Sequence, residues 1–191
     1  MKAAWLFVIG VVCGVAATLL PRAAMHLHST PPNSQANETM CDTVRAHTKE
    51  KFVFIAHAPM ERVVPLFGAD EERLWAANWE PSFIYPLPAK DAQGMVFTVA
   101  HGHRASIWVN TEFELENGRV QYVYVIPDAL TTVITLRLTP QGNETVVEVA
   151  YDRTALSAEA DAHVQHMAEQ DRSAGPEWEK AVNEYLEKHK E

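Results

Sequence analysis

The sequence predicts an α+β domain in which a curved antiparallel sheet of about six or seven strands wraps around a long C-terminal helix. Two observations support this fold class. Short segments of alternating apolar and polar residues follow one another between residues 95 and 151, which is typical of strands joined by tight turns. The region after Ser157 is instead apolar at helical spacing, and it is long enough to cover one face of the sheet.

An N-terminal membrane helix is predicted ahead of the domain, at residues 1–22. Residues 3–20 carry no charge, and as a helix they would span roughly 27 Å, close to the roughly 30 Å of a bilayer core. This pattern favours a single-pass anchor, but Val15-Ala16-Ala17 could be a signal-peptide cleavage site, so a secreted product is the alternative. Lys2 favours a cytoplasmic N-terminus, which would place the domain on the extracytoplasmic side.

Residues 23–48 are predicted to be a flexible linker, because they contain a Pro-Pro pair and many small polar residues without an apolar period. The domain then occupies residues 49–191.

The 191-residue chain has a net charge of −9, which argues against a nucleic-acid partner, since phosphate backbones need a basic face. Both cysteines, Cys13 and Cys41, precede the domain, so we expect no disulfide and no cysteine-based metal site in it.

The domain should begin with one strand and two short helices. Residues 52–56 are a run of β-forming residues. Pro59 suits the first turn of a helix, whereas Pro65 should keep that helix short or break it. Residues 69–75 predict a second short helix, because its acidic residues lie near the helix N-terminus.

Five alternating segments then predict further strands, at residues 95–101, 106–115, 119–126, 131–139 and 145–151. Asn117-Gly118 is a strong hairpin signal between the second and third of these. In the second segment, the alternation places Trp108 on the outer face and predicts the inward residues Ile107, Val109, Thr111, Phe113 and Leu115. One face of each strand is polar, so the sheet should be exposed to water on one side.

The C-terminal helix should cover the apolar face of this sheet. Its apolar positions form two stripes, which are Ala160, His163, Val164 and Met167, then Trp178, Ala181, Val182, Tyr185 and Leu186. Gly175-Pro176 should kink or split the helix. Because many inward sheet residues are small, the sheet and helix should leave an elongated internal cavity.

An aromatic segment, RLWAANWEPSFIYP at residues 73–86, connects the short helices to the sheet. Trp75 and Trp79 are one helical turn apart, so both could face inward if the helix continues that far. They could pack against the sheet to fix a lid, line the cavity, or do both. Phe83 and Tyr85 should share one face of a strand, because they are two residues apart.

Three motifs and their order carry a family resemblance. They are LFGADEERLWAANWEPSFIYP, FTVAHGHRASIWVNTEFE and the ending YDRTALSAEADAHV…PEWEKAVNEYL. Over roughly residues 50–189 the chain resembles the START-like superfamily, also called SRPBCC, and is most similar to small bacterial members. The resemblance implies a helix-grip fold whose internal cavity binds lipids, polyketides or other hydrophobic molecules, in some members with cyclase or hydrolase chemistry. The N-terminal membrane segment departs from the compact pattern of this family.

We therefore predict that a membrane-tethered domain binds a small lipid-like or polyketide-like ligand. One alternative is a cyclase- or hydrolase-type enzyme in which Tyr122, Tyr124 or His163 transfers protons. Another alternative is a solid interaction domain of a membrane complex. The expected ligand-binding residues are Trp75, Trp79, Phe83, Tyr85, Phe97, Val109, Thr111, Tyr122, Tyr124, Tyr151, His163 and Met167.

Metal binding and nucleophilic catalysis lack a convincing motif. His101 and His103 would share a face of an extended strand, as a metal pair requires, but Gly102 and Arg104 favour a turn, and no third ligand is nearby. The sequence has no Gly-x-Ser-x-Gly, no His-Glu-x-x-His and no glycine-rich phosphate loop. We expect neither a metal nor a cofactor, and the sequence assigns no catalytic residue.

Overall fold

The computed structural model describes residues 44–101 and 104–190. Its strands are β1 (His47–Ala56), β2 (Ser82–Tyr85), β3 (Val96–His101), β4 (Arg104–Glu114), β5 (Arg119–Ile126), β6 (Leu130–Gln141) and β7 (Glu144–Ala155). Its α-helices are α1 (Met60–Val63), α2 (Asp161–Ser173) and α3 (Gly175–Lys188). Turns of 3₁₀ helix cover Val64–Phe67, Glu71–Leu74, Leu115–Asn117 and Ala158–Ala160.

The predicted membrane segment and nearly all of the predicted linker lie outside the described residues. Among the residues that are described, none of the helices combines the length and apolar character needed to cross a bilayer. Strand β1 begins at His47, so the last two residues of the predicted linker belong to the sheet.

The strands form one antiparallel sheet in the order β1-β7-β6-β5-β4-β3-β2. Strands β6 and β7 pair along their whole length, from Leu130 with Ala155 to Gln141 with Glu144. Helix α2 packs against β1 and β7, and α3 packs against β1. The predicted α+β fold, with a curved antiparallel sheet and C-terminal helical coverage, is confirmed.

Strand β5 shows how the residue pattern determines the two faces of the sheet. Val120, Tyr122, Tyr124 and Ile126 are all buried, whereas the residues between them are half-buried on the opposite face. Burying one apolar row on a pleated strand removes it from water without burying polar groups. The predicted inward row of β5 is therefore confirmed.

The two proline predictions for the helices are also confirmed. Helix α1 ends at Val63 and continues as a 3₁₀ turn that contains Pro65. The C-terminal helix is split into α2 and α3, with Pro176 in the first turn of α3. Proline tolerates this first-turn position because the missing N–H would have no helical acceptor there.

The inward face of β4 is the opposite of the predicted one. Trp108 and Asn110 are buried, at 6% and 1% exposure, whereas Ile107 is 47% exposed. A β-bulge between Asn110 and Glu112 then shifts the register, which returns Phe113 to the core side. Both faces of this strand carry apolar residues, so alternation alone did not identify the buried face.

The aromatic segment also differs from its prediction. The 3₁₀ turn ends at Leu74, and Asn78 has a φ of 61°, so no helix continues to Trp79. A register shift in β2 separates Phe83 from Tyr85. Phe83 packs against the core, whereas Tyr85 is 64% exposed, so these two residues do not share a face.

Candidate functional site: an internal aromatic cavity

A cavity of about 660 Å³ lies between the concave face of the sheet, the segment around Trp75–Trp79 and the two C-terminal helices. This volume is within the range of sites that hold drug-sized molecules, roughly 300–1,000 Å³. Much of its wall is aromatic, with Phe67, Trp75, Trp79, Phe97, Trp108 and Trp178 among the lining residues. The exposed lining residues mark its opening to the surface, and they are Ala77, Asn78, Ala100, Gln170, Ser173 and Glu177.

Trp75 and Trp79 both fix the local chain and line the cavity. The Trp75 indole N–H donates to the carbonyl of Leu66 at 2.6 Å, and that of Trp79 donates to the carbonyl of Ala69 at 2.8 Å. The Trp75 ring also meets Trp178 of α3 edge to face, with centroids 5.3 Å apart. Satisfied indole N–H groups leave the apolar ring surfaces free to form a wall.

A buried ion pair closes one part of the cavity. Arg153 of β7 is 4% exposed and binds the Asp171 carboxylate through Nε at 2.7 Å and Nη2 at 2.8 Å. Its Nη1 donates to the Tyr124 hydroxyl and, at 2.9 Å, to Thr132 Oγ1. The guanidinium lies 4.7 Å from the centroid of the Tyr151 ring. Burial opposes the positive charge, but hydrogen bonding to Asp171, together with electrostatic attraction to Tyr124, Asp171 and Tyr151, outweighs it and holds the pKa of Arg153 above its ordinary value.

Glu72 contributes a carboxyl to the cavity wall that has no side-chain partner among the described residues. It lies in the 3₁₀ turn and is half-buried, and its side chain has no hydrogen bond or ion pair with the described residues. Burial, and then the negative charge of Asp91, raises the pKa of Glu72 to about 8. This carboxyl is therefore mostly protonated at neutral pH.

Asp91 positions the turn that carries Glu72. Its carboxylate accepts the backbone N–H groups of Asp70 at 3.0 Å and Glu71 at 3.2 Å. Carboxylates at this end of a helical turn satisfy N–H groups that have no helical acceptor. Burial nevertheless raises the pKa of Asp91, and the nearby Asp70 adds to the shift.

Two of the cavity tyrosines, Tyr122 and Tyr151, stay neutral across the physiological range. Tyr122 donates its hydroxyl to the Phe67 carbonyl at 2.9 Å, and burial followed by the charges of Glu72 and Asp91 raises its pKa. Burial, with the nearby Asp171, likewise raises the pKa of Tyr151. The described residues provide no hydrogen-bond partner for the Tyr151 hydroxyl, so it is available to a ligand.

His101 also lines the cavity, and its Nε2 and Ser106 Oγ are 2.8 Å apart. The Trp108 indole N–H donates to the same oxygen at 2.6 Å. Burial lowers the pKa of His101, which favours the neutral imidazole. His103 lies outside the described residues, among which no group of three His, Cys, Asp or Glu side chains could hold a metal ion.

The structure brings some of the predicted ligand-binding residues together and separates the others. Those in the cavity wall are Trp75, Trp79, Phe97, Tyr122, Tyr124, Tyr151 and Met167. Val109 and Thr111 lie on the opposite side of β4, because its inward face is Trp108 and Asn110. Phe83 packs behind Phe97 with ring centroids 6.0 Å apart.

Tyr85 and His163 are also outside the cavity wall. Tyr85 is exposed because of the register shift in β2. His163 lies one residue before the buried Val164 on α2, and its Nε2 is buried without a hydrogen-bond partner among the described residues. Burial, then His166 and Arg153, lowers the pKa of His163. Its predicted position inside the cavity is wrong.

The sequence reasoning missed several cavity residues, chiefly Glu72, Trp108, Arg153 and Asp171. Arg153 follows Tyr151 by two residues, so alternation would have placed it inward if the predicted strand had not ended at residue 151. Asp171 follows Met167 by four residues on α2, which is the spacing of one helix face. Glu72 had no comparable signal, because its orientation depends on the local 3₁₀ geometry.

The free energy of unfolding is expected to depend on pH, because the pKa of Glu72 differs between the folded and the unfolded protein. The unfolded carboxyl has a pKa of 4.5 and the folded one about 8, so folding takes up a proton between these values. The free energy of unfolding should therefore decrease as the pH rises from 4.5 to about 8. Glu72→Gln should be more stable than the wild type at pH 9 by about 1–2 kcal/mol, a value reduced because water screens a half-buried carboxyl.

Urea unfolding of both proteins at several pH values checks this prediction. Glu71→Gln is the control, because Glu71 is the exposed neighbour of Glu72 and should keep the wild-type profile. Parallel pH profiles of the wild type and Glu72→Gln would show that Glu72 titrates normally.

No protein-family model and no curated protein matches the sequence. Solved structures do match the fold. One is the Mll3558 protein from Rhizobium loti, with a TM-score of 0.52, 16% identity and coverage of 74% of this chain and 99% of that chain. Another is norcoclaurine synthase from Thalictrum flavum in complex with dopamine and hydroxybenzaldehyde, with a TM-score of 0.57, 11% identity and coverage of 88% and 99%. At such identities the likeness establishes the fold.

Proposed function

We propose that this chain, which has the helix-grip fold of the START-like superfamily, binds a small hydrophobic molecule in its internal cavity. The observation that carries the proposal is the cavity of about 660 Å³ with its largely aromatic wall. Apolar and aromatic surface inside a cavity binds an apolar molecule because both are removed from water. A solid interaction domain, the second alternative predicted from the sequence, would instead fill this volume with side chains.

The entrance to the cavity supports exchange of the ligand with the surroundings. Exposed residues of the aromatic segment, Ala77 and Asn78, and exposed residues at the junction of α2 and α3, Ser173 and Glu177, all line the cavity. The predicted N-terminal membrane segment would hold this opening near a bilayer, which is a source of apolar molecules. The solved structure of norcoclaurine synthase with dopamine and hydroxybenzaldehyde is a case of this fold with small aromatic molecules.

Tryptophan fluorescence provides a direct test of ligand binding. Four of the five tryptophans, Trp75, Trp79, Trp108 and Trp178, line the cavity. A neutral apolar alcohol that carries bromine, 8-bromo-1-octanol, quenches indole fluorescence on contact. Titration of the full-length chain should give saturable quenching, whereas a linear response equal to that of free tryptophan would contradict the proposal.

Two phenylalanine substitutions at alanine positions distinguish ligand binding in the cavity from binding elsewhere on the protein. Ala76 is half-buried in the cavity wall, whereas Ala162 is exposed on α2 and lies outside the cavity. Ala76→Phe should weaken the quenching by about tenfold or more, because the added ring occupies ligand volume. Ala162→Phe should bind like the wild type. Equal affinities for the two variants would place the binding site elsewhere.

An acid–base enzyme is the second candidate function, and Glu72 is the observation that favours it. A carboxyl with a pKa of about 8 in a cavity wall can donate or accept a proton near neutral pH. Tyr122, Tyr124 and His163 are weaker candidates, because the two tyrosines are held in hydrogen bonds and His163 lies outside the cavity. The test incubates the protein with its co-purified ligand and follows the ligand by mass spectrometry. Conversion of the ligand by the wild type but not by Glu72→Gln would support catalysis. An unchanged ligand would oppose it.

A further inference from the structure

We propose that Glu72 forms a cation-binding subsite, so that the preferred ligand is an amine with an aromatic or alkyl body. This inference rests on the proposed function, since it specifies the class of molecule that the cavity selects. Neutral and anionic molecules of the same shape should bind less tightly.

The geometry around Glu72 suits an ammonium group. Trp75 directly follows the 3₁₀ turn, its backbone N–H donates to the Glu72 carbonyl at 3.3 Å, and both residues line the cavity. The Trp75 ring meets Phe67 and Trp178 edge to face, with centroids 5.7 and 5.3 Å away. Aromatic faces attract cations, and the attraction is larger where water is excluded. An ammonium group at this point would pair with a free carboxylate inside an aromatic wall.

The remaining charges of the cavity wall also favour a cation. The Arg153 guanidinium is neutralised by the Asp171 carboxylate. Burial favours the neutral form of His101. The remaining carboxyl in the wall, Glu177, lies at the opening, where it adds negative charge along the entry path.

A ligand carboxylate would find no equivalent site at Arg153. A guanidinium has five N–H groups, and four hydrogen bonds already join those of Arg153 to Asp171, Tyr124 and Thr132. One face of the guanidinium is also covered by the Tyr151 ring. A fatty acid would therefore have to break the ion pair or leave its own charge unpaired, and both cost binding free energy.

The pH dependence of binding follows from the same groups. Without a ligand, Glu72 holds its proton up to about pH 8, and its neighbours Asp91 and Tyr122 contribute no positive charge that would release it. An ammonium group pairs with the carboxylate form only, so binding releases a proton from Glu72 whenever it was protonated. Amine affinity should consequently rise between pH 6 and pH 9, whereas the affinity of a neutral alcohol should remain constant.

The experiment compares three ligands with one carbon skeleton, 4-phenylbutylamine, 4-phenyl-1-butanol and 4-phenylbutyrate. Isothermal titration calorimetry of the full-length chain gives each affinity at pH 6 and pH 9. At pH 9 we expect the amine to bind about tenfold more tightly than the alcohol, and the carboxylate to bind most weakly. Glu72→Gln should reduce the amine affinity to the level of the alcohol, whereas Glu71→Gln should keep the amine preference.

The outcomes distinguish this inference from the proposed function. An amine that binds no better than the alcohol, or a preference that survives in a folded Glu72→Gln variant, overturns the cation subsite and leaves the hydrophobic cavity in place. Binding of none of the three ligands overturns both proposals. Thermal unfolding at pH 6 verifies that each variant is folded.

Discussion

Replacing Asp171 with alanine is expected to lower the free energy of unfolding by about 3–5 kcal/mol, as measured by urea denaturation. The carboxylate accepts two hydrogen bonds from Arg153, which is 4% exposed. Its removal would leave the Arg153 guanidinium in the core, where, among the described residues, only the Tyr124 and Thr132 hydroxyls would remain as hydrogen-bond partners. An unpaired buried charge is much more costly than the loss of one contact.

Two further variants show that burial, rather than ion pairing in general, causes this loss. Glu148→Ala removes an exposed ion pair with Lys51 and should cost less than about 1 kcal/mol. The double variant Arg153→Met with Asp171→Leu should recover most of the stability lost in Asp171→Ala, because it removes both charges. Equal small losses for Asp171→Ala and Glu148→Ala would mean that water reaches Arg153 and that the ion pair is not a buried structural element.

Gly118→Ala is the second substitution with a large expected effect, about 3 kcal/mol or more in the free energy of unfolding. Gly118 follows the 3₁₀ turn after β4 with a φ of 61°. A Cβ there would clash with the carbonyl oxygen of Leu138 and lie 3.0 Å from Met60 Sδ. The Gly118 carbonyl also accepts the Leu138 N–H at 2.8 Å, so the turn cannot move away without losing a backbone hydrogen bond.

Gly142→Ala is the matched control for Gly118→Ala. Gly142 has a φ of 65°, but no atom of the part of the chain that the structure describes lies within 4 Å of an added Cβ. Its substitution should cost only the conformational strain of a left-handed residue, about 1–2 kcal/mol. Thermal or urea unfolding gives the stability loss of each variant, and the difference between the two losses is the cost of the clash at Gly118. Equal losses would show that the contact between Gly118 and Leu138 relaxes readily.

The fold could be predicted where sequence alternation was unambiguous. In β5 the apolar residues Val120, Tyr122, Tyr124 and Ile126 occupy alternate positions, and the structure buries them all. In β4, large apolar residues occupy both faces, and the bulge after Asn110 changes the phase of the strand. A bulge depends on pairing with neighbouring strands, so a single strand sequence does not specify it.

The cavity was easier to predict than its chemistry. Large rings such as Trp75 and Trp79 signal buried surface from their size alone. Arg153 and Asp171 reside on β7 and α2, and their pairing depends on how these elements pack. Glu72 was unpredictable for a related reason, since its pKa depends on burial by residues that are distant in the sequence.

The most direct test of the central claim is a crystal structure of the chain with 8-bromo-1-octanol, in which anomalous scattering locates the bromine atom. The account predicts a bromine peak inside the cavity, within contact distance of the rings of Trp75, Trp178 or Tyr122. Bromine found only on the outer surface, with side chains filling the space between the sheet and the C-terminal helices, would contradict it.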